Sequence, residues 1–130
     1  MTIVVGYVPT PQGDAALTAA INEAQLRKEA LHVVNTSRGD APVDNRLASD
    51  EQLAGVRERL DAAGVAYEIE QKFKGDDPAA QLVDLADQLQ ASLIIIGLRR
   101  RSPTGKLITG SQAQRILLDA NCPVLAVKAS

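Results

Sequence analysis

Apolar positions along the chain fall into short unbroken runs, separated by longer stretches in which they recur every three or four residues. Ile3 to Val8 is apolar and β-branched, which predicts a strand buried on both faces. Pro9-Thr10-Pro11-Gln12-Gly13 interrupts it, and Asp14 is placed as an N-cap. Leu17, Ala20, Ile21 and Ala24 then form the apolar stripe of a helix ending near Glu29. Leu31-His32-Val33-Val34 predicts a second buried strand, and the polar stretch from Asn35 to Arg46 a loop. Ser49 with Gln52 makes a capping box. It opens a helix with Leu53, Val56 and Leu60 on one face and Gly64 at its end.

Val65, Tyr67 and Ile69 alternate with Ala66, Glu68 and Glu70, the period of a less buried strand at or near a sheet edge. Gly75-Asp76-Asp77-Pro78 marks a turn, with Asp77 as N-cap and Pro78 in the first turn of a helix striped by Leu82, Leu85, Ala86 and Leu89. Leu93 to Ile96, ended by Gly97, is the most strongly buried strand. Gly110-Ser111 opens a last helix with Ala113, Ile116, Leu117 and Ala120 inward. Pro123 stops it, and Val124 to Val127 makes a closing strand. Four strand–helix repeats and a final strand predict an α/β fold: a parallel sheet covered by helices on both faces, a three-layer sandwich in one domain over residues 1–130.

Composition narrows the function. Hydrophobic residues are 45% of the chain but aromatics only 2%, so Ala, Val, Leu and Ile must fill the core. A net charge of -2, with Tyr7, Tyr67 and Phe73 scattered, supplies neither a basic face nor stacking platforms for nucleic acid. One cysteine, Cys122, excludes an internal disulfide framework and fits a reducing compartment. No basic region precedes the first strand, and no apolar run approaches the roughly 20 residues that cross a bilayer. The expected location is the cytoplasm, without a membrane partner.

The residues from Gly97 to Ser111 carry the chemistry. In open α/β sheets ligands bind beyond the carboxyl ends of the strands, where strand order reverses. Gly97 ends a buried strand, where a missing side chain lets a ligand approach the backbone. Gly110-Ser111 starts a helix whose free N–H groups and dipole favour an anion. Arg99, Arg100, Arg101 and Lys106 add positive charge. Each feature also has a structural reading: a glycine closing a strand, a serine N-cap, a solvated basic surface. Their convergence favours nucleotide phosphates. The segment is not a Walker loop, because Arg100 and Leu107 occupy the positions that need Gly and Ser or Thr.

No catalytic constellation stands out. His32 lies within an apolar strand and reads as structural, and Cys122 as a buried or half-buried filler. Asp14 and Asp77 are accounted for as caps, while Asp84 and Asp87 face water. Without an acid–base pair or a Cys/His cluster of metal-ligand spacing, neither a catalytic nor a metal site is assigned, and the chain reads as a binding protein rather than an enzyme.

At these residues the sequence resembles the universal stress protein family. That family's motif is Gly, two residues, Gly, nine residues, then Gly with Ser or Thr. Gly97, the nine-residue spacer 101–109 and Gly110-Ser111 match it. Ile3-Val4-Val5-Gly6, Leu31-His32-Val33-Val34 and Asn121-Cys122-Pro123-Val124-Leu125-Ala126-Val127 extend the resemblance over the chain. It implies a five-stranded parallel sheet in the order 3-2-1-4-5. It also implies an ATP ligand, with or without Mg2+, the base near Gly6 and Val33, and Gly97, Gly110, Ser111 and Gln112 around ribose and phosphates. Two positions depart from the pattern. The second glycine is Arg100, which either obstructs the backbone or, with Arg99, pairs with phosphate. Val8 stands where ATP-binding members often carry Asp.

Val124 to Val127 ends near the terminus, so its apolar edge calls for a partner. A homodimer through this strand, like the family's common dimer, is the expected solution. The function expected is a nucleotide-binding stress protein acting as a ligand-responsive dimeric regulator. The alternatives are a dimeric interaction protein of the same fold without nucleotide, and a weak ATPase.

Overall fold

The computed structural model describes residues 1–36, 47–72, 77–98 and 111–129. The elements follow in the order β1 (Thr2–Gly6), α1 (Pro11–Arg27), β2 (Ala30–Thr36), α2 (Asp50–Ala63), β3 (Tyr67–Lys72), α3 (Pro78–Leu89), β4 (Leu93–Leu98), α4 (Ser111–Asp119) and β5 (Val124–Lys128). All strand pairs are parallel and the sheet order is β3-β2-β1-β4-β5, as the resemblance implies.

The unbroken apolar runs of β1, β2 and β4 are explained by two cores, one on each face of the sheet. Ile3 and Val5 of β1 point into a core closed by α1 and α2, with Leu17, Ala20, Leu53 and Leu60. Val4, between them, points into a core closed by α3 and α4, with Leu82, Leu85, Ala113 and Ile116. Ile94 and Ile95 divide in the same way, and both are fully buried. Burying one such side chain contributes about 1.5–3 kcal/mol relative to leaving it exposed. β3 lies at one edge of the sheet, as its alternation predicts, and Glu68, Glu70 and Lys72 take alternate positions along it.

Several boundaries differ from the sequence expectation. The cap of α1 is Thr10, not Asp14: the Thr10 hydroxyl accepts from Gly13 N at 3.2 Å, and Pro11 then starts the helix. Two capping residues compete here, and the one before a proline at N1 prevails because proline's fixed φ already suits the helix. α1 stops at Arg27, with Lys28 in the left-handed region. β1 ends at Gly6 and β2 continues through Asn35 to Thr36. The Ser49–Gln52 capping box is formed on both sides, and Gly64 closes α2 at φ 70°. Leu117, expected to face inward on α4, is 46% exposed. Of the predicted loop after β2, residues 37–46 lie outside the described residues.

Candidate functional site

Strand order fixes where a site can form. From β1 the chain winds outward through β2 to β3, then returns past β1 to β4 and winds the other way to β5. The reversal falls between β1 and β4, so the crevice beyond their carboxyl ends is the natural ligand position. Gly6, Tyr7 and Val8 lie at the end of β1, Gly97 and Leu98 at the end of β4, and α4 begins at Ser111.

The predicted residues have different surroundings. A methyl group on Gly6 would meet Leu82 Cδ2 at 3.3 Å, so the absent side chain lets α3 lie close to β1. Val33 is wholly buried in the α1–α2 core, which leaves only its backbone to face a ligand. Val8 is half-buried, and its carbonyl accepts from Thr10 N at 2.8 Å. A methyl group on Gly13 would lie 1.7 Å from that same oxygen, so the first turn of α1 folds tightly over the end of β1. At Gly97 a methyl group would lie 2.1 Å from the Gln12 carbonyl oxygen. The close approach that Gly97 permits is therefore made by α1, and the glycine is required there independently of any ligand. Arg99, Arg100 and Gly110 lie outside the described residues, and so does the Ser111 side chain.

Gln112 is bound to α3. Its Oε1 accepts from Ala79 N at 3.0 Å, and its Nε2 donates to Asp77 Oδ1 at 2.8 Å. Arg115 donates to the other oxygen of Asp77. Asp77 occupies the N-cap position of α3, yet its side chain makes no capping bond. The sequence reading of Asp77 as the N-cap residue holds for its position, while its side chain is engaged elsewhere for a tertiary reason. Gln112, arriving from α4, supplies the acceptor for the α3 amide and leaves both Asp77 oxygens for donors on α4. The first residues of an α-helix carry N–H groups without intrahelical acceptors, so the backbone at the start of α4 is what suits an anion.

A second polar centre, which the sequence reading did not single out, lies at the ends of β1, β2 and β3. Asn35 is fully buried. Its Nδ2 donates to Tyr7 O at 2.9 Å, and its Oδ1 accepts from Ala48 N at 2.8 Å and from Gln71 Nε2 at 3.1 Å. Gln71 Nε2 also reaches Ala48 O at 2.9 Å. One amide thus fixes both the point where the chain leaves β2 and the point where it returns before α2. The available signal was a polar residue directly after Val34 in an apolar run.

The titratable groups here have structural surroundings. Burial, aided by the Asp14 carboxylate and opposed by Arg59, raises the Tyr7 phenol above its ordinary value. Burial and the nearby Asp87 raise the Cys122 thiol, which packs half-buried at the edge of the α3–α4 core. His32 Nε2 lies 2.9 Å from Glu70 Oε2 across the β2–β3 pair. Among the described residues no group of three His, Cys, Asp or Glu side chains is placed to hold a metal ion. No helix among them is long and apolar enough to cross a membrane.

Comparison with known proteins places this arrangement. A model of the universal stress protein family matches residues 1–128. A universal stress protein of Mycolicibacterium smegmatis is 45% identical over 126 residues, covering 97% of this chain and 96% of its own length. A solved universal stress protein from Archaeoglobus fulgidus has a TM-score of 0.72 at 36% identity and covers 98% of both chains. The universal stress protein from Archaeoglobus fulgidus in complex with dAMP has a TM-score of 0.66 at 29% identity, again over 98% of each chain.

Proposed function

The chain belongs to the universal stress protein family, and from that premise we propose that it is a nucleotide-binding protein of the cytoplasm. ATP is its ligand, with or without Mg2+, and the ligand-responsive unit is a homodimer joined through β5. The observation that carries the reading is the reversal of strand order between β1 and β4, with the start of α4 beside it. A relative of 29% identity in complex with dAMP supports a nucleotide as the ligand class. The base lies near Gly6, Val8 and the Val33 backbone. The phosphates meet Gly97, Gly110, Ser111 and the Gln112 N–H, with Arg99 and Arg100 supplying charge. In this reading Arg100 compensates for the glycine it replaces, because its guanidinium can pair with phosphate. The nucleotide acts as a stabilising ligand rather than as a substrate.

A second reading is a dimeric interaction protein without nucleotide. It is favoured by Gly97, whose close approach is already made by Gln12. Two measurements separate the readings. Purified protein is denatured and its supernatant assayed for released nucleotide, and thermal stability is followed against ATP, ADP and AMP. The nucleotide reading expects about 2.7 kcal/mol of stabilisation at a hundred times the dissociation constant. No released nucleotide and no shift with any of the three would leave the second reading standing.

A further inference from the structure

We propose that Asp77 and Gln112 are positioning residues, which lock the first turn of α4 to the first turn of α3 and so set where the N–H groups of α4 point. The inference takes its ligand from the nucleotide reading, whereas the lock itself stands on geometry. Between the described residues of α3 and α4, three bonds make it. Gln112 bridges Ala79 N and Asp77 Oδ1, and Arg115, three residues further along α4, holds the second Asp77 oxygen. Gln112 and Arg115 share one face of α4 at this spacing. The lock is directional, since each partner has the only role its chemistry allows. An ionised carboxylate accepts from both sides, and a neutral amide accepts from Ala79 while donating to Asp77. The Asp77 charge also lies at the N-terminus of α3, where a helix favours an anion.

This geometry makes a prediction opposite in sign to simple electrostatics. Removing a negative charge close to a phosphate site should strengthen anion binding. Asp77→Asn instead leaves one oxygen and one NH2 group facing two donors, so one bond of the lock is lost. Gln112→Glu sets one carboxylate against another. Combined, the two changes restore the pattern. The amide introduced at position 77 donates to the carboxylate introduced at position 112, which still accepts from Ala79 N. The oxygen of the position-77 amide then accepts from Arg115.

The test uses the full chain and two readouts. The first is amide hydrogen exchange, without nucleotide, at Ala79 and at Arg115 and Ile116, the first amides of α4 (Ser111–Asp119) that an α-helix bonds back to its own first turn. Both single variants are expected to exchange faster there, and D77N/Q112E to return towards the wild type. The second is ATP affinity by titration calorimetry. D77N is expected to bind about tenfold more weakly, whereas the restored lock in D77N/Q112E is read from exchange, because the carboxylate at position 112 itself repels phosphate. Tighter ATP binding by D77N, or unchanged exchange in both single variants, overturns the proposal. A wild type that binds no ATP refutes the nucleotide reading instead, and exchange alone then decides the lock.

Discussion

Tyr7 sits where β1 ends, with its ring in the α1–α2 core and its phenol raised above the ordinary value of 10.0 by burial and by Asp14. Below pH 10 the folded and unfolded chains both hold this proton, so its contribution to stability is complete. As pH rises past 10 the unfolded chain releases the proton first, and stability falls until the folded phenol ionises as well. Tyr7→Phe should therefore flatten the alkaline decline in urea midpoint, with little change near neutrality. Parallel curves for the two proteins from about pH 9 to 11 would refute this. Tyr67 adds a smaller, solvent-screened part to the same decline. Its phenol is raised chiefly by the bond it donates to Asp61 at 2.8 Å, and it lies on the surface. At the same scale, Asn35 shows how one amide organises three strand ends. Each buried bond it makes would cost about 1–3 kcal/mol if its partner were left unsatisfied.

Between elements, the tightest joints are made by glycine. The first turn of α1 lies against β1 through Gly13 and against β4 through Gly97, both over backbone oxygens that have little room to yield. Gly97→Ala should destabilise the protein by at least about 1–3 kcal/mol, the usual cost of overpacking. Gly55→Ala, in α2 with nothing within 4 Å, should stabilise it by about 0.5–1 kcal/mol. Urea denaturation of the two variants checks both signs, and a neutral Gly97→Ala would show that α1 can move away. These joints mark where sequence reading stops. Strand and helix positions followed from hydrophobic period because one or both faces of each element are buried. The capping box at Ser49 was legible because both partners lie within one turn. Gly97 was legible as a place, but its reason is Gln12, in the first turn of α1 and far earlier in the chain. Asp77 has a capping residue's identity and position, and only the arrival of Gln112 from α4 gives its carboxylate other work.

For the whole molecule, the two edges of the sheet differ. Among the described residues β5 is hydrogen-bonded to β4 alone, and Leu125 on it and Leu118 on the neighbouring α4 are 38% and 83% exposed. The proposed dimer covers this side. Light scattering of the wild type at micromolar concentration should give about twice the 13.8 kDa chain mass, and Leu118→Glu with Leu125→Glu should give one. Because both leucines are exposed, the doubly substituted chain should keep its fold. A monomeric wild type would remove the dimer from the proposal. The opposite edge carries Glu68, Glu70 and Lys72 at alternate positions, and His32 holds Glu70 in place. A strand adding there would have to set its backbone against a row of charge. In the language of polymerisation, the subunit is monofunctional: one edge can propagate the sheet and the other terminates it. In the proposed dimer, growth by strand addition therefore ends after a single step, at a closed pair.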